Sequence, residues 1–219
     1  FPPYPLADVP MIKRGLVARG VDVLDLGFGD ADLPPPPAAV DALCNATGEP
    51  FMNRYPTNLG LPAFRDAIVG WMQRRFGVKL DPMREVLPLI GSKEGIAHVA
   101  FAFVEPGTCS IIPDPGYQPY YGGTLLARGE PYLVPLRPEH DFLIPFDQLP
   151  AEVVRRARIL YLNYPNNPTA AIAPREYLER AVAFCREHSI LLVYDNAYSE
   201  MAFDGYRPPS ILEIDGARE

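Results

Sequence analysis

Ile190-Leu-Leu-Val-Tyr-Asp-Asn-Ala-Tyr198 runs through five apolar residues and then stops at a carboxylate, Asp195. A run of this length, bounded by a polar turn, predicts a strand buried on both faces inside a parallel sheet. Asp195 then lies at the carboxyl end of the strand, the edge outside which open α/β sheets bind ligands. A helix cap or a turn explains a single Asp equally well, so its role depends on its neighbours.

A second strand of this kind ends one βα unit upstream. Arg158-Ile-Leu-Tyr-Leu-Asn163 leads into the Pro-bracketed loop Tyr164-Pro-Asn-Asn-Pro-Thr169. The segment from Asn167 to Asp195 has room for a loop, a helix and a strand. We therefore expect the two side chains at the same edge of neighbouring strands, which lie roughly 5 Å apart.

The composition is that of a globular chain and excludes several kinds of partner. Its 219 residues are 48% hydrophobic and 21% charged, with a net charge of -7. That charge, without a local Lys/Arg cluster, makes nucleic acid a poor partner. The widely spaced cysteines (Cys44, Cys109, Cys185) and histidines argue against a metal site and favour a reducing compartment. With no signal-peptide pattern and no apolar run of membrane length, we expect a cytoplasmic protein.

The remaining chain alternates predicted helices and strands, which is the α/β pattern. Helices are predicted at 11–19, after Pro37, after Gly60, at 92–104, at 147–156 and after Pro174. Strands are predicted at 21–26, 85–90, 109–113, 132–136 and 158–163. The helix after Gly60 has an apolar stripe that we expect in the core, made of Leu61, Phe64, Ile68, Trp71, Met72 and Phe76.

Three further segments bear on ligand binding. Gly27-Phe-Gly-Asp-Ala-Asp32 begins like a dinucleotide fingerprint but has Asp at the third glycine position, so we reject a Rossmann phosphate loop. The Gly91-Ser92 turn before a helix start suits an anion, although a plain Ser cap is the commoner reason for such a serine. An aromatic cluster follows the strand at 109–113 and contains Tyr117, Tyr120 and Tyr121.

Taken together, these groups predict a pocket for a planar aromatic ligand with a phosphate, a ring nitrogen and a phenolic oxygen. The converging residues are Ser92, Tyr117, Asn167, Asp195 and Tyr198. Pyridoxal 5′-phosphate is such a ligand. A carboxylate beside its ring nitrogen would keep the pyridinium protonated, and an amide and a phenol would donate to the ring oxygen.

The chain resembles the fold-type I pyridoxal-phosphate-dependent aminotransferases of class I/II, over about the N-terminal half of a typical member. Asn166-Asn-Pro-Thr169 is similar to the family's Asn-Pro-Thr-Gly signature, with Ala170 in place of the glycine. Asp195-Asn-Ala-Tyr198 is similar to the family's ring-nitrogen Asp and ring-oxygen Tyr. The motifs look closest to LL-diaminopimelate and aspartate/alanine types.

The resemblance implies a three-layer α/β fold with a mostly parallel sheet and part of a smaller domain at the N-terminus. Residues 1–45 would be an arm and a small-domain segment, and 46–219 the cofactor-binding large domain, incomplete at its C-terminal end. Ser92 and Lys93 would hold the phosphate and Tyr117 would stack on the ring. Tyr55 would cross to the neighbouring subunit of a homodimer with shared active sites.

The resemblance also implies three further features. The backbone of Gly29 would approach the substrate carboxylate, and the bond before Pro168 would be cis. Transamination needs a lysine that forms a Schiff base and moves a proton. We predict that none of Lys13, Lys79 and Lys93 is that lysine, and we expect it beyond Glu219.

The predicted function is amino transfer between an α-amino acid and a 2-oxo acid in amino acid metabolism. Two alternatives stay open. One is a β-lyase or decarboxylase with the same cofactor, because the same carbanion can eliminate or be protonated elsewhere. The other is a non-catalytic, cofactor-binding regulatory module.

Overall fold

The computed structural model describes residues 7–27, 29, 31 and 33–219. These residues divide into two compact units, one up to Pro56 and one from Thr57 to Glu219. The first unit contains the helices α1 (Val9–Ala18) and α2 (Pro37–Thr47) and a 3-10 turn at Pro50–Asn53. Both helices confirm the sequence predictions, and α2 begins with a proline, which suits a first helical turn. The domain boundary after residue 45 stays a prediction.

The second unit is built around one parallel sheet. Its strands are β1 (Cys109–Asp114), β2 (Glu130–Pro135), β3 (Ala157–Asn163) and β4 (Leu191–Asp195). Its helices are α3 (Pro62–Phe76), α4 (Ser92–Phe103), α5 (Gln118–Leu126), α6 (Ala151–Arg156) and α7 (Arg175–His188). The strand order is β2-β1-β3-β4, with every neighbouring pair parallel.

Alternate residues of β3 face two different helical layers, because successive side chains of a strand point to opposite faces. Ile159 and Tyr161 belong to the core formed with α4 and α5. Leu160 and Leu162 belong to the core formed with α7. Covering both faces makes β3 almost wholly buried and confirms the predicted three-layer α/β class.

Four strand and helix predictions were wrong in detail. Among the described residues β4 is an edge strand that is only half-buried, since β3 pairs with one side of it. No strand forms at 85–90, where Pro88 lacks the N–H that a ladder needs, and the described segment 21–26 also has no strand partner. The helix predicted at 147–156 is split before Pro150 into the 3-10 turn Phe146–Gln148 and α6.

The apolar stripe of α3 was also assigned wrongly to the core. Leu61, Phe64 and Trp71 are 51%, 53% and 40% exposed, whereas Phe76 is buried. The spacing of apolar residues located the helix but not the face that packs inward, because that face also buries the charged Arg65.

Neither α3 nor any other helix in the described part of the chain is long and apolar enough to cross a membrane.

A glycine allows α4 and α5 to approach each other closely. A Cβ atom on Gly123 would lie 2.6 Å from the backbone oxygen of Ala97 in α4, closer than packed atoms tolerate. Ser92 is the first residue of α4, and Tyr117 immediately precedes α5. The contact at Gly123 therefore helps to set the spacing between these two predicted binding residues.

The neighbouring glycines of α5 offer a matched test of this contact. Gly123→Ala should destabilise the fold by about 1–3 kcal/mol, because backbone atoms cannot move aside for the added methyl group. Gly122→Ala should instead be neutral or stabilising by up to about 1 kcal/mol, since its Cβ would first meet the Gln118 side chain at 3.4 Å. Chemical denaturation measures both values, and equal effects would contradict the close-contact explanation.

Candidate active site

The pairing register of β3 and β4 sets Asn163 directly opposite Asp195 at the carboxyl edge of the sheet. The predicted convergence of the two strand ends is therefore present. The residue opposite Asp195 is Asn163 rather than Asn167, which lies beyond the end of β3 in the following loop.

Asn163 joins the end of β4 to that loop. Its side chain is buried, its Nδ2 donates to the backbone oxygen of Asp195 at 2.7 Å, and its Oδ1 accepts from the backbone N–H of Asn167 at 2.8 Å. Sequence reasoning missed this residue. The signal that could have found it is a polar side chain at the last position of an otherwise apolar strand.

The loop after β3 is fixed by its own polar side chains. Asn166 is buried, and its Oδ1 accepts from both the N–H and the hydroxyl of Thr169. The Asn167–Pro168 bond is cis, as the resemblance implied. Ala170 has φ of 59°, in the left-handed region where glycine is at ease, which explains physically why the family signature has glycine at this place.

Asp195 is half-buried and is held by a tyrosine that sequence reasoning did not assign to the site. Its Oδ2 accepts a hydrogen bond from the Tyr120 hydroxyl at 2.7 Å. Burial raises the pKa of Asp195, and the bond from Tyr120 partly opposes that rise. Tyr120 is fully buried and its ring stacks on Tyr161, with centroids 4.6 Å apart.

Ser92 and Asp195 line the same cleft, which has a volume of about 360 Å³. Gly91, with φ of 103°, is the N-cap of α4, and Ser92 is its first helical residue. No side chain caps this helix within the described residues, so the simple cap explanation for Ser92 does not hold. A helix start with a serine hydroxyl suits an anionic group, because the first N–H groups point outward.

Lys93 follows Ser92 in α4, and Tyr117 immediately precedes α5; neither residue lines the cleft itself. The Nζ of Lys93 is 5.6 Å from the centroid of the Tyr117 ring, a cation–π distance. Tyr117 is half-buried and contacts Tyr120 edge-on, with ring centroids 5.8 Å apart. The half-buried Tyr198 follows β4 and is close enough to contribute to the raised pKa of Tyr120.

The other predicted residues are placed as follows. Gly29 and Tyr55 belong to the first unit; both are exposed, Tyr55 completely so. Lys13 forms an ion pair with Asp25 at 2.6 Å, and Lys79 is exposed. Their exclusion as the Schiff-base lysine stays a prediction.

The chemistry of these groups fits pyridoxal phosphate. A half-buried carboxylate matches a protonated ring nitrogen, and the start of α4 with Ser92 matches a phosphate. Tyr117 offers an aromatic ring next to Tyr120, the hydrogen-bond partner of Asp195. The described residues contain no group of three or more His, Cys, Asp and Glu side chains arranged for a metal ion.

Comparison with known proteins agrees with this chemistry. The family model for aminotransferase class I and II matches residues 21–218. The LL-diaminopimelate aminotransferases of Desulforudis audaxviator and Syntrophobacter fumaroxidans are 51% and 47% identical to this chain over its whole length. The chain spans 56% of the length of each of them.

Solved structures have the same fold. Apo-BacF of Bacillus subtilis is 35% identical, with a TM-score of 0.94, over 100% of this chain and 55% of its own. A probable N-succinyldiaminopimelate aminotransferase of Thermus thermophilus is 40% identical, with a TM-score of 0.88, over 96% of this chain and 56% of its own. Members of the matching family depend on pyridoxal phosphate. The chain, with its Asp195 cleft and its parallel sheet, belongs to the class I and II aminotransferases of fold type I.

Proposed function

We propose that the protein containing this chain is a pyridoxal-phosphate-dependent aminotransferase that transfers an amino group from LL-diaminopimelate to a 2-oxo acid. The observation that carries the proposal is the Asp195 carboxylate, held by Tyr120 at the end of β4 and opening on the cleft that Ser92 lines. The names of the relatives that are 44–51% identical support the choice of amino donor.

Each residue of the proposed site has a role that follows from its chemistry. Asp195 keeps the ring nitrogen protonated, and the start of α4 with Ser92 and Lys93 binds the phosphate. Tyr117 stacks on the ring. Two further groups, Asn167 and Tyr198, donate to its phenolic oxygen. The bound cofactor supplies an electron sink for the charge that develops at the substrate's α carbon.

We further propose a homodimer with shared active sites. Tyr55 is completely exposed in its own unit, as a residue that reaches the cofactor phosphate of a second copy would be. Gly29 would meet the substrate carboxylate through its backbone, and the Schiff-base lysine would come from outside this chain. The scattered cysteines support a cytoplasmic location.

The amino donor is tested with the complete protein and pyridoxal phosphate. Incubated with LL-diaminopimelate and a panel of 2-oxo acids, it should form the matching amino acids, which chromatography quantifies. Aspartate and alanine, offered in place of LL-diaminopimelate, should react at least about 10-fold more slowly. A site whose polar groups are placed for the longer side chain of LL-diaminopimelate leaves those groups unpaired when a shorter side chain binds.

Three outcomes would contradict this proposal in different ways. Faster reaction of aspartate or alanine would reject the donor but keep the reaction. Release of ammonia without a 2-oxo acid acceptor would indicate elimination. Cofactor binding without turnover of any amino acid would indicate a non-catalytic module.

The role of Asp195 is tested by removing its charge. Asp195→Asn in the complete protein should lower kcat by about 100-fold or more, because a fixed charge that stabilises the reaction is lost. Phosphate binding at Ser92 should persist, so the protein should still bind cofactor, although more weakly than the wild type does. Asp147→Asn, at an exposed position, is the matched control and should keep full activity. Undiminished turnover of Asp195→Asn would reject the proposed role.

The two asparagines near β4 should separate folding from cofactor binding. Asn163→Ala should destabilise the fold by about 2–4 kcal/mol, because it leaves the backbone oxygen of Asp195 and the backbone N–H of Asn167 without their hydrogen-bond partner. Asn167→Ala removes an exposed side chain and should change stability by less than about 0.5 kcal/mol while weakening cofactor binding. Denaturation and cofactor titration measure the two effects, and the reverse ranking in stability would contradict this assignment.

A further inference from the structure

We propose that Tyr120 is the positioning residue of Asp195: its hydroxyl holds Oδ2 and thereby fixes which carboxylate oxygen is offered to the cleft. The inference rests on the proposed function, because the ring nitrogen of the proposed cofactor is the partner that the other carboxylate oxygen, Oδ1, would meet. Tyr120 itself would act through Asp195.

The hydrogen bond uses only one of the two carboxylate oxygens. Tyr120 donates to Oδ2 at 2.7 Å, and no other donor within the described part of the chain reaches either side-chain oxygen. The backbone of Asp195 is held as well, because its backbone oxygen accepts a hydrogen bond from the Asn163 side chain at 2.7 Å. Oδ1 is therefore left for a ligand in the cleft that Asp195 lines.

The donor itself is fixed more firmly than its acceptor. The Tyr120 ring is fully buried, lies nearly parallel to Tyr161 at an interplanar angle of 17° and meets Tyr117 edge-on at 81°. Its backbone oxygen also accepts from the Thr124 hydroxyl at 2.8 Å. A ring enclosed in this way can place its hydroxyl at only one point, so the position of Oδ2 follows from the packing of α5.

The charges around this pair favour Tyr120 as the donor. Burial and the adjacent Asp195 raise the pKa of Tyr120 far above its usual range, so the phenol keeps its proton. The other ionisable groups nearby, from α4, from the start of α5, from β3 and from the segment after β4, are Lys93, Tyr117, Tyr161 and Tyr198. The bond from Tyr120 lowers the pKa of Asp195 against the effect of burial, so it favours the ionised carboxylate.

Two hydroxyl deletions in one aromatic stack provide the test. Tyr120→Phe removes the hydroxyl that bonds to Asp195 and keeps the stacked ring. Tyr161→Phe removes the neighbouring hydroxyl, which bonds to the backbone oxygen of Ile96 at 3.3 Å instead. Any effect of losing a buried phenol as such should appear in both variants, whereas an effect on Asp195 should appear only in Tyr120→Phe.

The first measurement needs no cofactor. NMR titration of the complete protein labelled at aspartate carboxyl carbons, with the Asp195 signal assigned by its loss in Asp195→Asn, should show a higher pKa for Asp195 in Tyr120→Phe than in the wild type. Tyr161→Phe should titrate like the wild type. An unchanged Asp195 titration in Tyr120→Phe, or the same change in both variants, would overturn the proposal.

The second measurement is the pyridoxal phosphate dissociation constant as a function of pH. Tyr120→Phe should weaken binding by about 10-fold or more, and the loss should begin at higher pH than in the wild type, because the carboxylate is protonated sooner. Identical pH profiles would count against the positioning role. If the wild type bound no cofactor, the proposed function would fail, whereas the NMR titration would still decide whether Tyr120 controls Asp195.

Discussion

The register between β3 and β4 is the constraint on which the site depends. Because these strands are parallel and in register, Asn163 and Asp195 reach the carboxyl edge of the sheet side by side. A shift of one residue would turn Asp195 towards the opposite face, since side chains alternate along a strand. The buried amide of Asn163 reinforces the register by bonding to the Asp195 backbone and to the next loop at once.

A half-buried carboxylate at this edge lowers the stability of the fold when it is ionised. Burial raises the pKa of Asp195, so the native protein holds its proton more tightly than the unfolded chain does. Stability linked to this group is therefore present below the ordinary pKa of an aspartate and is lost as the pH rises through the native value. A fold keeps such a group when its charge is useful, and a cationic ring nitrogen would recover the lost interaction energy.

The sequence predicted the strand ends well and the residues behind them poorly. Apolar runs that stop at a polar residue located β1, β3 and β4, because a parallel sheet buries both faces of its strands. The roles of Asn163 and Tyr120 were not predicted, because each side chain is buried and its role depends on a partner that is distant in sequence. The stripe of α3 misled for a related reason: periodicity reveals a helix but not what lies against it.

The closeness of α4 and α5 links these parts into one arrangement. Gly123 lets the two helices approach, and α5 then presents Tyr120 to Asp195 while α4 presents Ser92 to the same cleft. The α4–α5 contact thus adds to the β3–β4 register in setting the distance between the phosphate end and the ring-nitrogen end of the proposed cofactor site. A rigid distance between them matters because pyridoxal phosphate is itself a rigid ring with its phosphate on a short arm. Packed backbone holds such a distance more firmly than a loop does, so Gly123 contributes to the geometry of the site although it has no chemical role of its own.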